Sequence, residues 1–296
     1  MHRLRAQLRR RSGRRSLGTA FLTAFGALWL ILEPAGLFLP DTFKWGWPGY
    51  IGLVAAGAVI AAYRVRPRDK ISRALPPTDV TVAIQVGDVL AQSGNIVVGA
   101  TDTFDTQFDD EVISRASVQG QLLEKVFAGD RGAFDGLIES TLPAGVGTHD
   151  PDKSFGKRTR YPVGTVAVVR NGSSRYFLPA FTRMSKALPA HVESTIEELE
   201  LALASVWRTI NEAGQREPVH APIIGSHLAR LGVSRTLLTQ LIILTFIAAT
   251  LKGGPPSLTV WITPSDREVT PRIRKGIFQR PRKFRPVADY SAYVPA

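Results

Sequence analysis

The sequence predicts an α/β domain built on a layered sheet and preceded by a transmembrane hairpin of two helices. Two apolar stretches of nearly membrane-spanning length, residues 17–39 and 47–63, open the chain. Further along, short strand-like apolar runs alternate with segments of helical periodicity, which is typical of a layered α/β sheet. The chain therefore divides into a basic N-terminus (1–16), the hairpin (17–63), a basic linker (64–79), a globular domain (80–265) and a basic tail (266–296).

Basic residues flank the hairpin on its outer sides. Seven arginines lie within residues 1–15 and five basic residues lie within 64–73, whereas the connector 40–47 holds one lysine and one aspartate. A helix needs about 20 residues to cross a bilayer core of about 30 Å, and cytoplasmic segments collect Lys and Arg. We therefore expect a two-pass membrane protein with both termini in the cytoplasm.

Glu33-Pro34 is the weak point of the first span. A carboxylate is unfavourable in lipid, and proline disrupts a helix interior, so either the span ends at Leu32 or it is kinked and the kink lies in the interior of an oligomer. Two alternatives to the transmembrane hairpin remain open. One is a cleaved secretory signal, since a basic start precedes an apolar run. The other is a buried helical hairpin of a soluble protein.

Composition limits the classes of protein and site. The chain has 296 residues, no cysteine and a net charge of +12, so disulfides and thiolate metal sites are excluded. Residues 1–15 carry +7, residues 64–73 carry +4 and residues 266–296 carry +5, which leaves −4 for the remainder. Because the positive charge lies beside the hairpin and in the tail, we expect contact with the lipid bilayer and no nucleic-acid partner. Nucleic-acid binding by the basic tail is the alternative.

Six strands and four helices are expected in the globular domain. The strands are 80–86, 95–100, 164–170, 175–181, 219–224 and 258–263, and the helices are 110–127, 133–142, 190–213 and 234–251. Asn171-Gly172, between the third and fourth strands, is a strong hairpin signal. The last helix is nearly all apolar, so a third membrane span is the alternative. Its apolar run is short and it lies between two strands, which favours a buried crossover helix.

Small polar residues follow several of the predicted strands. Gly87-Asp88 ends the first strand, residues 101–106 follow the second, and residues 225–227 follow the strand 219–224. Loops at the carboxyl ends of parallel strands converge on one crevice, and the N–H groups of a glycine-containing turn bind phosphate groups. The carboxylate of Asp88 can accept a hydrogen bond from an exocyclic amine such as that of adenine. On its own, however, Gly87-Asp88 indicates only a turn.

Four segments together carry a resemblance to a known family. They are VGDV (86–89), NIVVGATDTFDT (95–106), YPVGTV (161–166) and HAPIIGSHLAR (220–230). In this order they resemble the macro domain, an ADP-ribose-binding fold, over residues 80–265. Together with two N-terminal spans, the chain resembles the membrane-anchored macro-domain effectors of Thoeris anti-phage defence systems.

The resemblance implies a macro-like three-layer α/β/α domain with a mixed sheet. It implies that this cytoplasmic domain senses an NAD-derived ADP-ribose conjugate, such as histidine–ADP-ribose, made by a TIR-domain partner. Ligand binding would then make the hairpin disrupt the membrane, an abortive infection response that stops phage spread. A single hairpin has too few helices to enclose a pore, so a homo-oligomer is expected.

The resemblance also assigns ligand-binding roles by position. Asp88 would contact the adenine; Asn95, Thr101, Thr103 and Asp105 would line the distal ribose; Gly225, Ser226 and His227 would hold the diphosphate through their backbones. His227 stands where many macro domains have glycine, and it is either part of the diphosphate site or a surface residue.

A second departure concerns catalysis. The loop after the second strand lacks the glycine run of hydrolytic macro domains and reads Ala100-Thr101-Asp102. We therefore expect a sensor that is not an enzyme, with no cofactor, and no metal ion because the histidines lack ligand spacing. A membrane-tethered ADP-ribosyl hydrolase and a membrane scaffold with a degenerate pocket are the alternatives. The basic residues Lys157, Arg158 and Arg160 either close over a phosphate or form a solvated surface.

Overall fold

The computed structural model describes residues 11–38, 46–64, 70–75, 79–108, 112–186, 191–225, 232–251 and 253–263. The chain divides into two compact units, residues 1–68 and residues 69–296. The predicted basic tail (266–296) lies outside the described residues.

Two helices, α1 (Arg11–Phe38) and α2 (Gly46–Arg64), form the first unit and pack along one another. They approach closely at Gly57, where a β-carbon would lie 3.3 Å from Cε2 of Phe21. Glycine allows such an approach because it has no side chain. The predicted pair of helices is therefore present.

The helix α1 continues through Glu33-Pro34, where the sequence indicated an end at Leu32 or a kink. By length and composition, the window Gly46–Tyr63 of α2 can cross a membrane, with a mean hydropathy of 1.3. The apolar part of α1, Leu17–Glu33, is shorter than such a window. Among the described residues, one helix thus meets the criterion for a span where the sequence predicted two.

A mixed sheet forms the centre of the second unit. In chain order, the strands of this unit are β1 (Lys70–Ala74), β2 (Thr81–Val86), β3 (Asn95–Val97), β4 (Ala100–Thr101), β5 (Thr148–His149), β6 (Thr159–Arg160), β7 (Val166–Asn171), β8 (Ser174–Met184), β9 (Val192–Glu193), β10 (Val219–Pro222) and β11 (Ser257–Ile262). The strands β5 and β6 form a separate two-stranded ribbon.

Six strands of the sheet run in parallel. β2, β11, β10 and β3 are successive neighbours, and β3 pairs with β8. β4 also pairs with β8, opposite Ala180 and Thr182, so β3 and β4 follow one another along the same neighbour. The strands β1, β7 and β9 are antiparallel to their partners. The parallel strands therefore end together at one side of the sheet, which we call the carboxyl edge.

Helices cover both faces of the sheet. In the described part of the second unit they are α3 (Val118–Val126), α4 (Arg131–Thr141), α5 (Ile196–Ala213) and α6 (Arg235–Thr250). α3 and α4 bury Leu122 and Phe134 in the core of one face, whereas α5 and α6 bury Trp207 and Phe246 in the core of the other. The predicted three-layer α/β/α domain with a mixed sheet is thereby confirmed. α6 is a crossover helix, since it joins the parallel neighbours β10 and β11, and it buries one face against the sheet.

Capping side chains explain two differences from the expected helix bounds. The helix predicted over 110–127 begins at Val118, because the Ser117 hydroxyl accepts from Gly120 N–H. The helix predicted over 190–213 begins at Ile196, where Thr195 and Glu198 form a capping box. Such caps satisfy the free N–H groups of a first helical turn. The strand β1 was not expected, because it lies within the predicted linker.

Candidate ligand-binding site at the carboxyl edge

β2, β10 and β4 all end at the carboxyl edge, and the segments that follow β2 and β4 begin with hydrogen bonds to neighbouring strands. Gly87 N donates to the carbonyl of Ile262 at 3.0 Å, and Asp102 N donates to that of Thr182 at 2.8 Å. These bonds extend the sheet to the residue just before Asp88 and into the segment that we call the β4 loop, residues 102–108. Ligands of open α/β sheets bind at this edge.

Asp88 stands at the carboxyl end of β2 with 44% of its side chain exposed. Its Oδ1 accepts from Leu90 N at 3.0 Å, and its Oδ2 lies 2.8 Å from Nζ of Lys125 on α3. Partial burial alone would raise the pKa of Asp88, but the hydrogen bonds from Lys125 and Leu90 N–H hold that pKa below its ordinary value. Asp88 is therefore an ionised acceptor that solvent reaches.

An indole ring supports the turn before Asp88. Trp261 on β11 donates its Nε1 proton to Nδ1 of His220 on β10 at 3.1 Å. A β-carbon on Gly87 would lie 2.7 Å from Cζ3 of that indole. Burial holds the pKa of His220 below its ordinary value, so the imidazole is neutral and can accept this bond. Gly87 is therefore required for close packing against this indole.

Three of the predicted ribose-lining residues come together, but their side chains point inward. Thr101, Thr103 and Asp105 expose 9%, 1% and 0% of their surface. The two threonine hydroxyls lie 3.2 Å apart, and the hydroxyl of Thr103 donates to Oδ2 of Asp105. Lys153 completes this network with its ammonium 3.0 Å from the same carboxylate oxygen. This buried network fixes the β4 loop to the interior of the domain.

Asp102 is the β4-loop carboxylate that reaches an open cleft. The cleft has a volume of about 600 Å³ and is also lined by Asp150 and Arg160. The Arg160 guanidinium donates to Oδ2 of Asp102 and of Asp150, at 2.6 Å each. Burial raises the pKa of Asp102, against the opposing effects of Met184 N–H and Arg160. The hydrogen bond from Arg160 lowers the pKa of Asp150.

Asn95 is not brought together with the other predicted residues. It begins β3, at the opposite end from the carboxyl edge, and exposes none of its surface. Its amide nitrogen donates to the carbonyls of Gly214 at 2.8 Å and Glu217 at 3.1 Å. These bonds hold the turn between α5 and β10.

Of the three residues predicted to hold the diphosphate, the structure describes only Gly225. Gly225 follows β10 with a positive φ of 81°, a conformation that glycine adopts without strain. Ser226 and His227 lie outside the described residues. The predicted roles of these three residues stay predictions.

Sequence reasoning did not find the cations that organise this edge. Lys125 pairs with Asp88, Lys153 with Asp105, and Arg160 with Asp102. The basic run 157–160 partly indicated these cations. Two of its residues pair with carboxylates of the domain: Arg160 with Asp102, and Lys157 with Asp135 at 2.7 Å. Within the described residues, His, Asp and Glu side chains form no group of three that could hold a metal ion.

Known proteins match the second unit in sequence. Residues 82–263 match the family model described as Thoeris protein ThsA, Macro domain. The Thoeris protein ThsA of Bacillus amyloliquefaciens (strain Y2) is 26% identical over an alignment of 197 positions, which covers 63% of this chain and 64% of that protein. The matched region thus spans just under two thirds of that relative.

Solved macrodomains are similar to this chain at low identity. An Oceanobacillus iheyensis macrodomain with ADP is 14% identical at a TM-score of 0.42, covering 72% of this chain and 99% of that one. A Trypanosoma brucei macrodomain in complex with ADP-ribose is 9% identical at a TM-score of 0.42, covering 66% and 68%. The family model matches more than half of the chain, and this chain therefore belongs to the ThsA macro-domain family of Thoeris proteins.

Proposed function

We propose that this chain is an effector of Thoeris anti-phage defence whose macro domain binds an ADP-ribose-derived signal. Family membership supports the role in defence and in binding related to ADP-ribose. The observation that carries the binding proposal is Asp88, an ionised and half-exposed carboxylate at the carboxyl end of β2. A carboxylate only accepts hydrogen bonds, as recognition of the adenine amino group requires.

The order of the strands supports one orientation of the ligand along the carboxyl edge. Adenine lies at Asp88 after β2, the diphosphate lies at the turn of Gly225 after β10, and the second ribose lies at the β4 loop. β2, β11, β10 and β3 are successive neighbours, so these three positions follow one another along the edge. A positive φ at Gly225 is compatible with a turn whose N–H groups face an anion.

The source of the signal is a TIR-domain partner in this proposal. That partner consumes NAD and releases an ADP-ribose conjugate, for which histidine–ADP-ribose is our candidate. The cleft beside Asp102 supports a conjugate, because it opens next to the β4 loop, where the group attached to the second ribose would lie. Its lining holds both carboxylates and basic side chains, including Asp102, Asp150, Arg160, Arg183 and Lys186. Such a lining suits a substituent that carries both charges.

The output of the sensor is disruption of the bacterial inner membrane by α1 and α2. Large apolar side chains cover the outside of the first unit, including Leu22, Leu30, Ile31, Ile51 and Val59. An exposed apolar surface of this extent favours a lipid environment over water. In this proposal both helices cross the membrane with the termini in the cytoplasm, and several copies assemble to permeabilise it.

Calorimetric titration of the full-length protein in detergent with ADP-ribose tests the sensor. We expect saturable binding that Asp88→Ala weakens by about tenfold to 100-fold, since hydrogen bonds to a charged group contribute about 1.5–3 kcal/mol. Asp79→Ala is the matched control, because Asp79 is exposed before β2 and away from the carboxyl edge. Absence of binding to ADP-ribose and to histidine–ADP-ribose would overturn the proposal.

We further propose that the domain leaves its ligand intact. Asp102 and Asp105 each lie in an ion pair with a cation, which leaves neither carboxylate of the β4 loop free to activate water. Incubation of the full-length protein with the conjugate, followed by chromatography, should return unchanged conjugate. Release of free ADP-ribose at a rate that depends on the protein would favour the hydrolase instead.

Dye release from liposomes tests the membrane output. Full-length protein reconstituted in liposomes should release a trapped dye after ligand is added, and Asp88→Ala should shift this response to higher ligand concentration. Release that is equal with and without ligand would contradict coupling between sensor and hairpin. A ligand acts on such an equilibrium only through different affinities for the two states.

A further inference from the structure

Residues 150–161, which we call the strap, are fastened to the β4 loop by two ion pairs. Lys153 of the strap pairs with Asp105, and Arg160 pairs with Asp102. The backbone adds a third contact, since Tyr161 N donates to the carbonyl of Asp102 at 2.8 Å. The strap and the loop are thus joined at both ends.

Lys153 is the more deeply buried of the two cations. Its ammonium exposes no surface and donates to Oδ2 of Asp105 at 3.0 Å and to the carbonyls of Phe155 at 2.6 Å and Lys157 at 2.7 Å. Three acceptors match the three N–H donors of a lysine ammonium. A buried charge persists only with such complete pairing. The backbone of the strap therefore surrounds the Lys153 ammonium with hydrogen-bond acceptors.

Asp105 is held equally tightly from the other side. Its Oδ1 accepts from Lys157 N at 2.5 Å, and its Oδ2 accepts from the hydroxyl of Thr103. Gly156 lets the strap come this close, because a β-carbon there would collide with Oδ1 of Asp105 and lie 3.0 Å from Nζ of Lys153. The φ of Gly156 is 63°, which also favours glycine.

Arg160 ties the far end of the strap to β8. Its Nη1 donates to Asp102, its Nε to Asp150, and its Nη2 to the carbonyl of Met184 at 2.9 Å. Asp102 also accepts from Met184 N at 2.8 Å. The β4 loop is therefore fixed both to the strap and to the end of the neighbouring strand.

The strap acts at one end of the carboxyl edge only. Asp88 follows β2, and the β4 loop continues the line of β3, which is three neighbours away. Neighbouring strands lie about 4.8 Å apart, so about 14 Å separate the two positions. A nucleotide whose adenine lies at Asp88 reaches the β4 loop only with its far end.

We propose that the strap is the specificity element for the second ribose of the ligand. Lys153 and Arg160 are positioning residues that hold the β4 loop against this ribose. This inference rests on the proposed function. ADP carries the adenine and the diphosphate but lacks the second ribose. Its affinity is therefore independent of the strap, whereas the affinity for ADP-ribose depends on it.

The test compares ADP and ADP-ribose on the full-length protein in detergent. The variant combines Asp105→Asn with Lys153→Met, which removes both buried charges at once and leaves neither unpaired. We expect the Kd for ADP-ribose to rise by about tenfold or more and the Kd for ADP to stay within about twofold. Arg158→Gln is the matched control, since Arg158 is an exposed basic residue of the same strap, and it should change neither Kd.

The ratio of the two Kd values separates positioning from a general structural role. Equal weakening of ADP and ADP-ribose would overturn the proposal, as would an unchanged affinity for ADP-ribose. If the double variant shows no cooperative thermal transition, Arg160→Lys replaces it, with the same selective loss expected. Wild-type protein that binds neither ADP-ribose nor histidine–ADP-ribose would reject the proposed function and the strap with it, an outcome distinct from failure of the strap alone.

Discussion

The ammonium of Lys153 lies 3.0 Å from Oδ2 of Asp105, and neither side chain exposes more than 1% of its surface. Removing two charges from water is unfavourable, and their attraction offsets this only when the remaining donors and acceptors are also satisfied. Here the strap carbonyls and Thr103 supply those partners. Each charge is therefore stable in the domain only while the other is present.

Lys153→Met is expected to destabilise the domain by about 3–5 kcal/mol, because it leaves the Asp105 carboxylate buried without its counter-charge. Asp105→Asn together with Lys153→Met should recover most of that loss. Denaturant-induced unfolding of the full-length protein in detergent measures both. Lys125→Met is the control: its pair with Asp88 is about half exposed, so its effect should stay below about 1 kcal/mol. Equal stability of the single and double variants would contradict this account.

The Lys153 pair also shows what a single sequence cannot reveal. Strands such as β2 and β11 were predicted because they are short, mainly apolar runs that alternate with segments of helical periodicity. Lys153 lies in a polar loop without periodicity, and its burial depends on Asp105, which is 48 residues away. β1 was missed for a related reason: it is an edge strand in which exposed and half-buried residues alternate, and its charges indicated a linker.

Gly99→Ala is expected to destabilise the domain by about 1–3 kcal/mol, because the added β-carbon would collide with the ring of Phe181. Gly136→Ala provides the opposite control. Gly136 lies inside α4 with no atom within 4 Å of the added β-carbon, so the change should stabilise by about 0.5–1 kcal/mol. Thermal unfolding of the two variants measures the difference. A Gly99→Ala protein as stable as wild type would show that Phe181 can move aside.

Site residues were predictable from the sequence where they directly follow a strand. They were not predictable where side chains from distant parts of the chain meet in the fold. Gly87-Asp88 is recognisable as a turn directly after an apolar run, and the structure places Asp88 at the carboxyl edge. Asn95 also stands beside a strand in the sequence, but at its beginning. Strand direction is a property of the assembled sheet, and it separates these two residues by the length of a strand.

His220 is expected to make stability fall in mild acid. Burial lowers the pKa of His220, the Lys70 ammonium adds to this, and a hydrogen bond involving the Ser93 backbone opposes it. The unfolded chain, with a histidine pKa near about 6.5, then binds the proton more readily than the folded domain. Stability is therefore fully present above that pKa and is lost as the pH falls toward the lower folded pKa. Protonation at Nδ1 would also remove the acceptor of the Trp261 indole.

His220→Gln should reduce this pH dependence, because it removes the titrating group and keeps an acceptor for Trp261. Melting temperatures at about pH 7.5 and about pH 5.5 give the fall for wild type and variant. The comparison between the two proteins cancels the contributions of groups common to both. A fall that is equal in the two proteins would assign the acid sensitivity to other residues.

Gly57→Leu is expected to separate α1 from α2, because the β-carbon alone would lie 3.3 Å from Phe21 and 3.5 Å from Cβ of Phe25. Gly52→Leu is the matched control, since no atom lies within 4 Å of a β-carbon there. The chain has no cysteine, so spin labels can be attached to single cysteines introduced at the exposed positions Leu30 and Ile51. Pulsed electron resonance should show a longer and broader distance distribution for Gly57→Leu and an unchanged one for Gly52→Leu. The same change in both variants would mean that added bulk anywhere on α2 perturbs the pair, and that Gly57 is not the point that sets its spacing.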